Sequence, residues 1–229
     1  MTTVKAIFIS HEHGDHIKGV STLANKYNLP VYITAKTAVN GPRLISHIAK
    51  PFIANQPVVI GALHITPFTK MHDAADPHSF IITCNNITVG VLTDIGRVCK
   101  DVINYFKQCH AVFLESNYDD QMLENGKYPH HLKTRIRGGH GHLSNKEALE
   151  LFITHRSPSL SHLLLSHLSK ENNSVEMVEQ LFTQHANGIN ITVASRFEST
   201  AVFTIGQGNV INYNSPAKAT KAMQLGLFE

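Results

Sequence analysis

Six consecutive residues, His11-Glu-His-Gly-Asp-His16, gather three imidazoles and two carboxylates into one short stretch of chain. Imidazole nitrogens and carboxylate oxygens are the donors that zinc and manganese accept. Alternate residues of an extended loop point the same way, so His11 and His13 can share one metal ion while Asp15 and His16 turn toward a second beside it. The string opens His-Glu, yet position 15 is Asp, so the helical H-E-x-x-H zinc motif is absent. Two ions need more ligands than these four side chains, one of them bridging. His72, Asp94 and His167 are candidates because each is a polar residue at or just beyond the end of an apolar run. Spacing alone does not separate them from His64, His78, His110, His155, His162 or His185.

Such ligands must be held by regular elements. Residues 4–10 form a short β-branched run that reads as a buried strand ending in the histidine string, which places the ligands on a loop at a strand's C-terminal end. A helix is predicted over 17–27, closed by Asn28 and Pro30, then a strand over 31–34, a helical stretch and a loop over 51–57. Short β runs at 58–60, 63–68, 79–84 and 87–92, with Asn85-Asn86 between the last two, predict antiparallel strands. A helix over 97–108 and a strand over 111–115 follow, then a polar loop-helix excursion over 118–142. Ser144-Asn-Lys-Glu147 reads as a capping box opening a helix to about residue 155. Strands are predicted at 161–166, 189–193 and 201–205, with a helix over 174–185 between the first two. No repeat or linker interrupts the pattern, so residues 1–212 read as one domain of α+β or α/β layers, with hairpins in its middle, and 213–229 as a loose C-terminal tail.

The composition is that of an ordinary globular protein: 229 residues, 42% hydrophobic and 16% charged, with a net charge of +3 that permits an anionic partner without demanding one. Histidine is the outlier, at 16 residues against no tryptophan. Three cysteines form no CxxC pair and argue against a disulfide framework. No apolar run approaches the length of a membrane span, and the first residues lack a signal-peptide pattern, so a cytoplasmic protein without membrane attachment is expected.

Taken in order, His11–His16, His72 with Asp73-Ala-Ala-Asp-Pro77, Thr93-Asp94-Ile95-Gly96, Glu115-Ser-Asn-Tyr-Asp119, Gly141-His-Leu-Ser-Asn145 and His167-Leu-Ser-Lys-Glu-Asn-Asn173 carry a family resemblance. The chain resembles the metallo-β-lactamase-fold hydrolases, and within them the YycJ/WalJ-like branch, relatives of the tRNA-3′-processing nucleases and phosphodiesterases. The resemblance spans 5–205 and implies a four-layer αββα sandwich with its site at the edge between two sheets. Family members carry several strands ahead of the histidine string. The first sheet is therefore expected to be N-terminally truncated by roughly 50 residues, several strands of ordinary length. Lost sheet edges would then encourage homo-oligomerisation.

The resemblance also implies the ligand set: His11, His13 and His72 on one metal, Asp15, His16 and His167 on another, and Asp94 bridging. Two divalent ions, zinc or manganese, would generate a metal-bound hydroxide near neutral pH, with Asp15 orienting it. His142 would contact the scissile phosphate or protonate the leaving oxygen, oriented by Glu115. Lys127, Lys133, Arg135 and Arg137 make a basic stretch with Tyr128 suited to phosphate contacts, and Asn145 is a further substrate-binding candidate. The function implied is an exonuclease-like phosphodiesterase acting on DNA. The alternatives are a hydrolase of a small phosphodiester or thioester, or a non-catalytic metal- or nucleic-acid-binding fragment.

Overall fold

A computed structural model describes residues 3–42 and 48–206. The first layer pair begins with β1 (Ile7–Phe8), a single helical turn α1 (Gly14–Ile17), α2 (Val20–Tyr27), β2 (Val31–Tyr32), α3 (Ala35–Asn40) and β3 (Ala49–Lys50). These three strands form a small parallel sheet in the order β1-β2-β3. Next come β4 (Val58–Ile60), β5 (Leu63–Thr69), β6 (His78–Cys84), β7 (Ile87–Leu92), α4 (Lys100–Phe106) and β8 (Ala111–Glu115). The excursion holds α5 (Asp120–Asn125) and α6 (His130–Arg137), and the chain continues through α7 (Asn145–His155), β9 (His162–Ser166), α8 (Val175–Thr183) and β10 (Asn190–Val193). The second sheet has seven strands in the order β10-β9-β8-β7-β6-β5-β4, antiparallel through its hairpins and parallel from β7 to β10.

Period-two alternation sorts the side chains into layers. In the small sheet Ile7, Ile9, Val31 and Ile33 pack with Val20 and Ala24 of α2. Phe8 and Tyr32 face the other way, stack at 4.6 Å and join Phe52, Ile65 and Phe80 between the two sheets. On the far face of the large sheet, Val112, Leu114, Leu163 and Leu165 pack under Phe106, Phe152 and Phe182 of α4, α7 and α8. Each of these three fully buried phenylalanines contributes about 1.5–3 kcal/mol of hydrophobic stabilisation. The result is helix, sheet, sheet, helix, the αββα sandwich.

Strand ends do the positioning. Leu92, Leu114 and Leu165 lie side by side in register across β7, β8 and β9. One or two residues further on stand Asp94, Glu115 and His167, so the sheet delivers three functional side chains to one edge. Asp94 (φ +55°) and His167 (φ +58°) both adopt left-handed backbone, turning the chain sharply out of its strand.

Several sequence expectations are refined. The helix predicted over 17–27 is broken at Gly19, whose φ of +91° separates α1 from α2, and Asn28 closes it in left-handed conformation. Asn85 and Asn86, both at positive φ, make the tight turn between β6 and β7. The capping box at Ser144 and Glu147 is formed with both reciprocal hydrogen bonds. The strand predicted at 201–205 is absent: residues 201–206 have no regular structure. A β-branched run favours extended backbone, but a strand also needs a neighbour to pair with, and here Val202 stays 90% exposed. The proposed tail, 213–229, lies outside the described residues. Among the described residues no helix is long and apolar enough to cross a membrane.

Candidate metal centre and cleft

The loop after β1 and the loop after β5 meet here, cross-tied by the Ala75 amide donating to Glu12 Oε1 at 2.7 Å and the His78 amide donating to Ser10 O at 2.9 Å. Donor atoms of His11, His13 and His72 come within 4.8 Å of one another, and so do those of Asp15, His16 and His167. Asp94 stands between the two groups: its carboxylate lies within 4.8 Å of a His11 ring nitrogen on one side, and on the other its Oδ2 is 3.4 Å from His16 Nε2 and its Oδ1 3.2 Å from His167 Nε2. The seven residues singled out in the sequence therefore converge on one place.

The imidazoles are aimed by partners on their outer nitrogens. His72 Nδ1 donates to Gly141 O at 2.8 Å, which makes Nε2 the lone-pair nitrogen, 3.2 Å from His13 Nδ1. His11 Nδ1 is held by Ser10 Oγ at 3.0 Å, and its Nε2 is buried without a hydrogen-bond partner. Asp94 Oδ2 and Asp73 Oδ1 are likewise buried and lack hydrogen bonds. A protein does not normally strand polar atoms in its interior. Orphaned acceptors among convergent imidazoles are the donor set a divalent cation satisfies, so the residues present fit such a group.

Electrostatics point the same way. Burial, helped by the charge of Lys70, pushes His11 down to about 2, and burial with Lys70 pushes His72 down to about 4, so both rings are neutral lone-pair donors. Burial would lower His167 too, but the nearby Asp15 carboxylate, the Glu115 hydrogen bond and the Asp94 charge raise it to about 10. Burial works to raise the Asp94 carboxyl, yet the His16 imidazole beside it and the Lys70 ammonium hold it below the usual carboxylate range. Asp15 is held low chiefly by His167. Without a metal, then, a proton on His167 and the Lys70 ammonium supply the positive charge beside these carboxylates.

Glu115 is fully buried and occupied on both oxygens: Oε2 accepts from the Ile95 amide at 2.5 Å, and Oε1 faces His142 Nδ1 at 2.7 Å and His167 Nδ1 at 3.0 Å. It thus orients His142, as the family resemblance implied, and His167 as well. Asn145 is a correction. It is 3% exposed, accepts from Ser116 Oγ at 2.7 Å and exchanges hydrogen bonds with Asn173, so its amide is committed to the interior rather than to substrate.

A cleft of about 650 Å³ opens beside Asp15, His16, His142 and His167. One wall is α6 with Tyr128 and Arg135, and the other is formed by Ser169, Lys170 and Arg196. The basic stretch divides. Arg135 borders the cleft and pairs with Asp73, whereas Lys133 donates to Glu124 O and Arg137 binds the Glu124 carboxylate at 2.6 Å, a local tie away from the cleft lining. Lys127 is not among the lining residues either.

Sequence reasoning did not single out Lys70, Asp73, Ser116, Asn117, Lys170, Asn173 or Arg196 as site residues. Asn117 donates to His167 O at 2.7 Å, and Asn173 to the carbonyls of Ser116 and Asn117 at 2.9 and 3.0 Å, fixing the two loops that present Glu115 and His167. The Asn172-Asn173 pair directly after an apolar strand and loop was the available signal, since adjacent short amides at a helix start commonly tie down backbone.

Residues 1–167 match the family described as the Beta-lactamase superfamily domain. The chain is 34% identical over 199 residues to the exodeoxyribonuclease YycJ of Bacillus anthracis, covering 85% of this chain and 75% of that protein. Among solved structures it is similar to the metallo-β-lactamase fold protein YhfI of Bacillus subtilis, with a TM-score of 0.62 and 20% identity over 83% of this chain and 75% of that one. It is also similar to zinc-bound PqqB of Methylobacterium extorquens, with a TM-score of 0.61 and 18% identity over 83% and 70%.

Proposed function

Because the chain belongs to the β-lactamase superfamily and is a metal-dependent hydrolase, we propose that it binds two divalent ions and cleaves the phosphodiester bonds of DNA from an end. One observation carries this reading: two ligand groups, His11/His13/His72 and Asp15/His16/His167, flank one buried carboxylate, Asp94, beside a cleft with cationic side chains on both walls. The name of the Bacillus anthracis relative supports DNA as substrate.

His11, His13 and His72 would hold one ion, Asp15, His16 and His167 the other, and Asp94 would serve both. When bound, such a pair supplies acidification of a water at neutral pH and neutralisation of charge on the phosphate oxygens. The chain's own residues do the rest. Glu115 takes a hydrogen bond from His167 Nδ1 and so keeps Nε2 toward the site. His142, fixed through Nδ1 by the same carboxylate, lines the cleft with its other ring nitrogen free for a phosphate or leaving oxygen. Arg135, Lys170 and Arg196 would position backbone phosphates, and Tyr128 offers a face on which a base can stack.

The test is to load the full chain with zinc or manganese, count ions per chain, and incubate it with end-labelled single- and double-stranded DNA. Stepwise shortening of the DNA, lost in Asp94→Asn, is the expected result. Cleavage of small phosphodiesters with none of DNA removes the substrate assignment, and a single ion per active chain removes the dinuclear one.

A further inference from the structure

Lys70 follows directly on β5 and points inward beneath the ligand cluster, with 1% of its side chain exposed. Its ammonium donates to Thr93 O at 2.7 Å and stands 3.9 Å from Asp94 Oδ2. A lysine is almost never fully buried unless it is paired. The carboxylates it faces are themselves interior: Asp94 is 2% and Glu115 0% exposed. Asp94 Oδ2 looks toward His16 on one side and Lys70 on the other, yet has no hydrogen bond of normal geometry to either. That oxygen is shared between a resident positive charge and the cluster of metal-type donors.

We infer that Lys70 is the built-in counter-cation of this site: it stabilises the Asp94 carboxylate while the site is metal-free and thereby sets the affinity at which divalent ions bind. The inference rests on the reading of these residues as a divalent-metal site. Two effects of the ammonium run together. It offsets a buried negative charge that would otherwise stand unpaired, which stabilises the metal-free fold. It also repels an incoming dication across a few ångströms of low-dielectric interior, which destabilises the loaded state. By linkage, whatever favours the metal-free state over the loaded one weakens apparent metal binding by the same factor. Lys70 fixes Thr93 O ahead of Asp94, while the amides of Ile95 and Gly96 beyond it are held separately by Glu115 Oε2 and Met71 O. Removing Lys70 thus takes one hydrogen bond from the loop along with the charge, and the two losses have opposite signatures: a displaced Asp94 binds metal more weakly, an uncompensated one more tightly.

Lys70→Met keeps the apolar stem and removes the charge, while Lys70→Arg keeps the charge. The measurements are zinc affinity by competition with a chromophoric chelator, and thermal melts of each full-length variant with zinc and after chelation. Lys70→Met is expected to bind zinc at least about tenfold tighter and to lose melting temperature mainly in the chelated form, widening the gap between the two melts. Lys70→Arg should stay within about threefold of the wild type in affinity. A purely structural role predicts instead that Lys70→Met lowers both melts equally and leaves affinity unchanged or weaker, and that result overturns the inference. Should the chelated Lys70→Met chain not stay folded, chelator titration of the zinc-loaded protein still gives its affinity from the dissociation side. A wild-type chain that binds no zinc sinks the metal-site reading as a whole, whereas binding unaffected by Lys70→Met sinks the counter-cation role alone.

Discussion

Exchanging Glu115 for glutamine replaces one oxygen with an NH2 group in surroundings that leave the new amide a single orientation. The carboxylate accepts on both oxygens: the Ile95 amide on Oε2 and two imidazole Nδ1–H groups on Oε1. A glutamine has one acceptor oxygen, and the Ile95 N–H cannot change character, so the amide oxygen must turn to Ile95. The NH2 then faces His142 and His167, whose Nδ1 atoms can accept only if each ring proton moves to Nε2. In His167 that nitrogen is the one 3.2 Å from Asp94 Oδ1, and a protonated nitrogen is no ligand. Loss of such an outer partner weakens metal binding about 10- to 100-fold, or about 1.4–2.8 kcal/mol. Two charge-assisted hydrogen bonds become neutral ones, which lowers stability by about 2 kcal/mol. Zinc competition titration and urea unfolding of Glu115→Gln read the two quantities separately. Zinc affinity within threefold of the wild type in a folded Glu115→Gln chain refutes the tautomer argument.

Other consequences can be measured with the same protein. In the chelated chain His167, raised to about 10 from 6.5, holds a proton that the unfolded chain has released, so its stabilisation is complete below pH 6.5 and falls by about 1.4 kcal/mol per pH unit above it. Lys70, lowered to about 8, has the opposite slope above that pH, while His11 and His72, both lowered, lose their contribution as pH drops below 6.5. The urea midpoint should peak near pH 6.5, fall by about 2 kcal/mol in stability to pH 8 and then level off; a midpoint that climbs from 6.5 to 8 contradicts this. Gly141→Ala would set a Cβ 2.3 Å from the carbonyl oxygens of Arg135 and Ile136, so the loop carrying His142 must move and a loss of about 2–4 kcal/mol in unfolding free energy is expected. Arg135→Ala should weaken DNA binding and reduce the salt slope by about 1, whereas Lys133→Ala, whose ammonium is tied to Glu124 O, should leave both nearly unchanged in fluorescence anisotropy titrations.

The local signals that proved legible are those whose physics is short-range. The capping box at Ser144, the Asn85-Asn86 turn and the strands over 87–92 and 111–115 are written in consecutive residues, and the structure has them in place. Spacing alone could not choose His72 over His64. His64 sits at the opening of β5, paired opposite Thr83, while His72 lies beyond the strand's other end, a difference visible only once the sheet is assembled. Lys70 was unreadable for the same reason. A lysine next to a strand looks like a solvated end until the fold closes a roof over it. The basic stretch misled because a run of like charges says nothing about which side chains find a local partner, and Glu124 takes two of them. At 201–205 composition pointed to a strand, but pairing depends on a neighbour that composition does not encode.

The row formed by Leu92, Leu114 and Leu165 makes the site a matter of counting. Three functional residues owe their mutual distances to the fixed spacing between hydrogen-bonded strands, and their facing to the parity of each strand. Side chains lining the cleft can therefore be exchanged one at a time, which leaves room for substrate preference to drift. Chain length within β7, β8 and β9 has no such latitude. Deleting the half-exposed Phe113 would cost little as a side chain, yet it would draw Glu115 one position back into the strand and invert its face. Insertions and deletions, not substitutions, are the changes this part of the gene is least able to absorb.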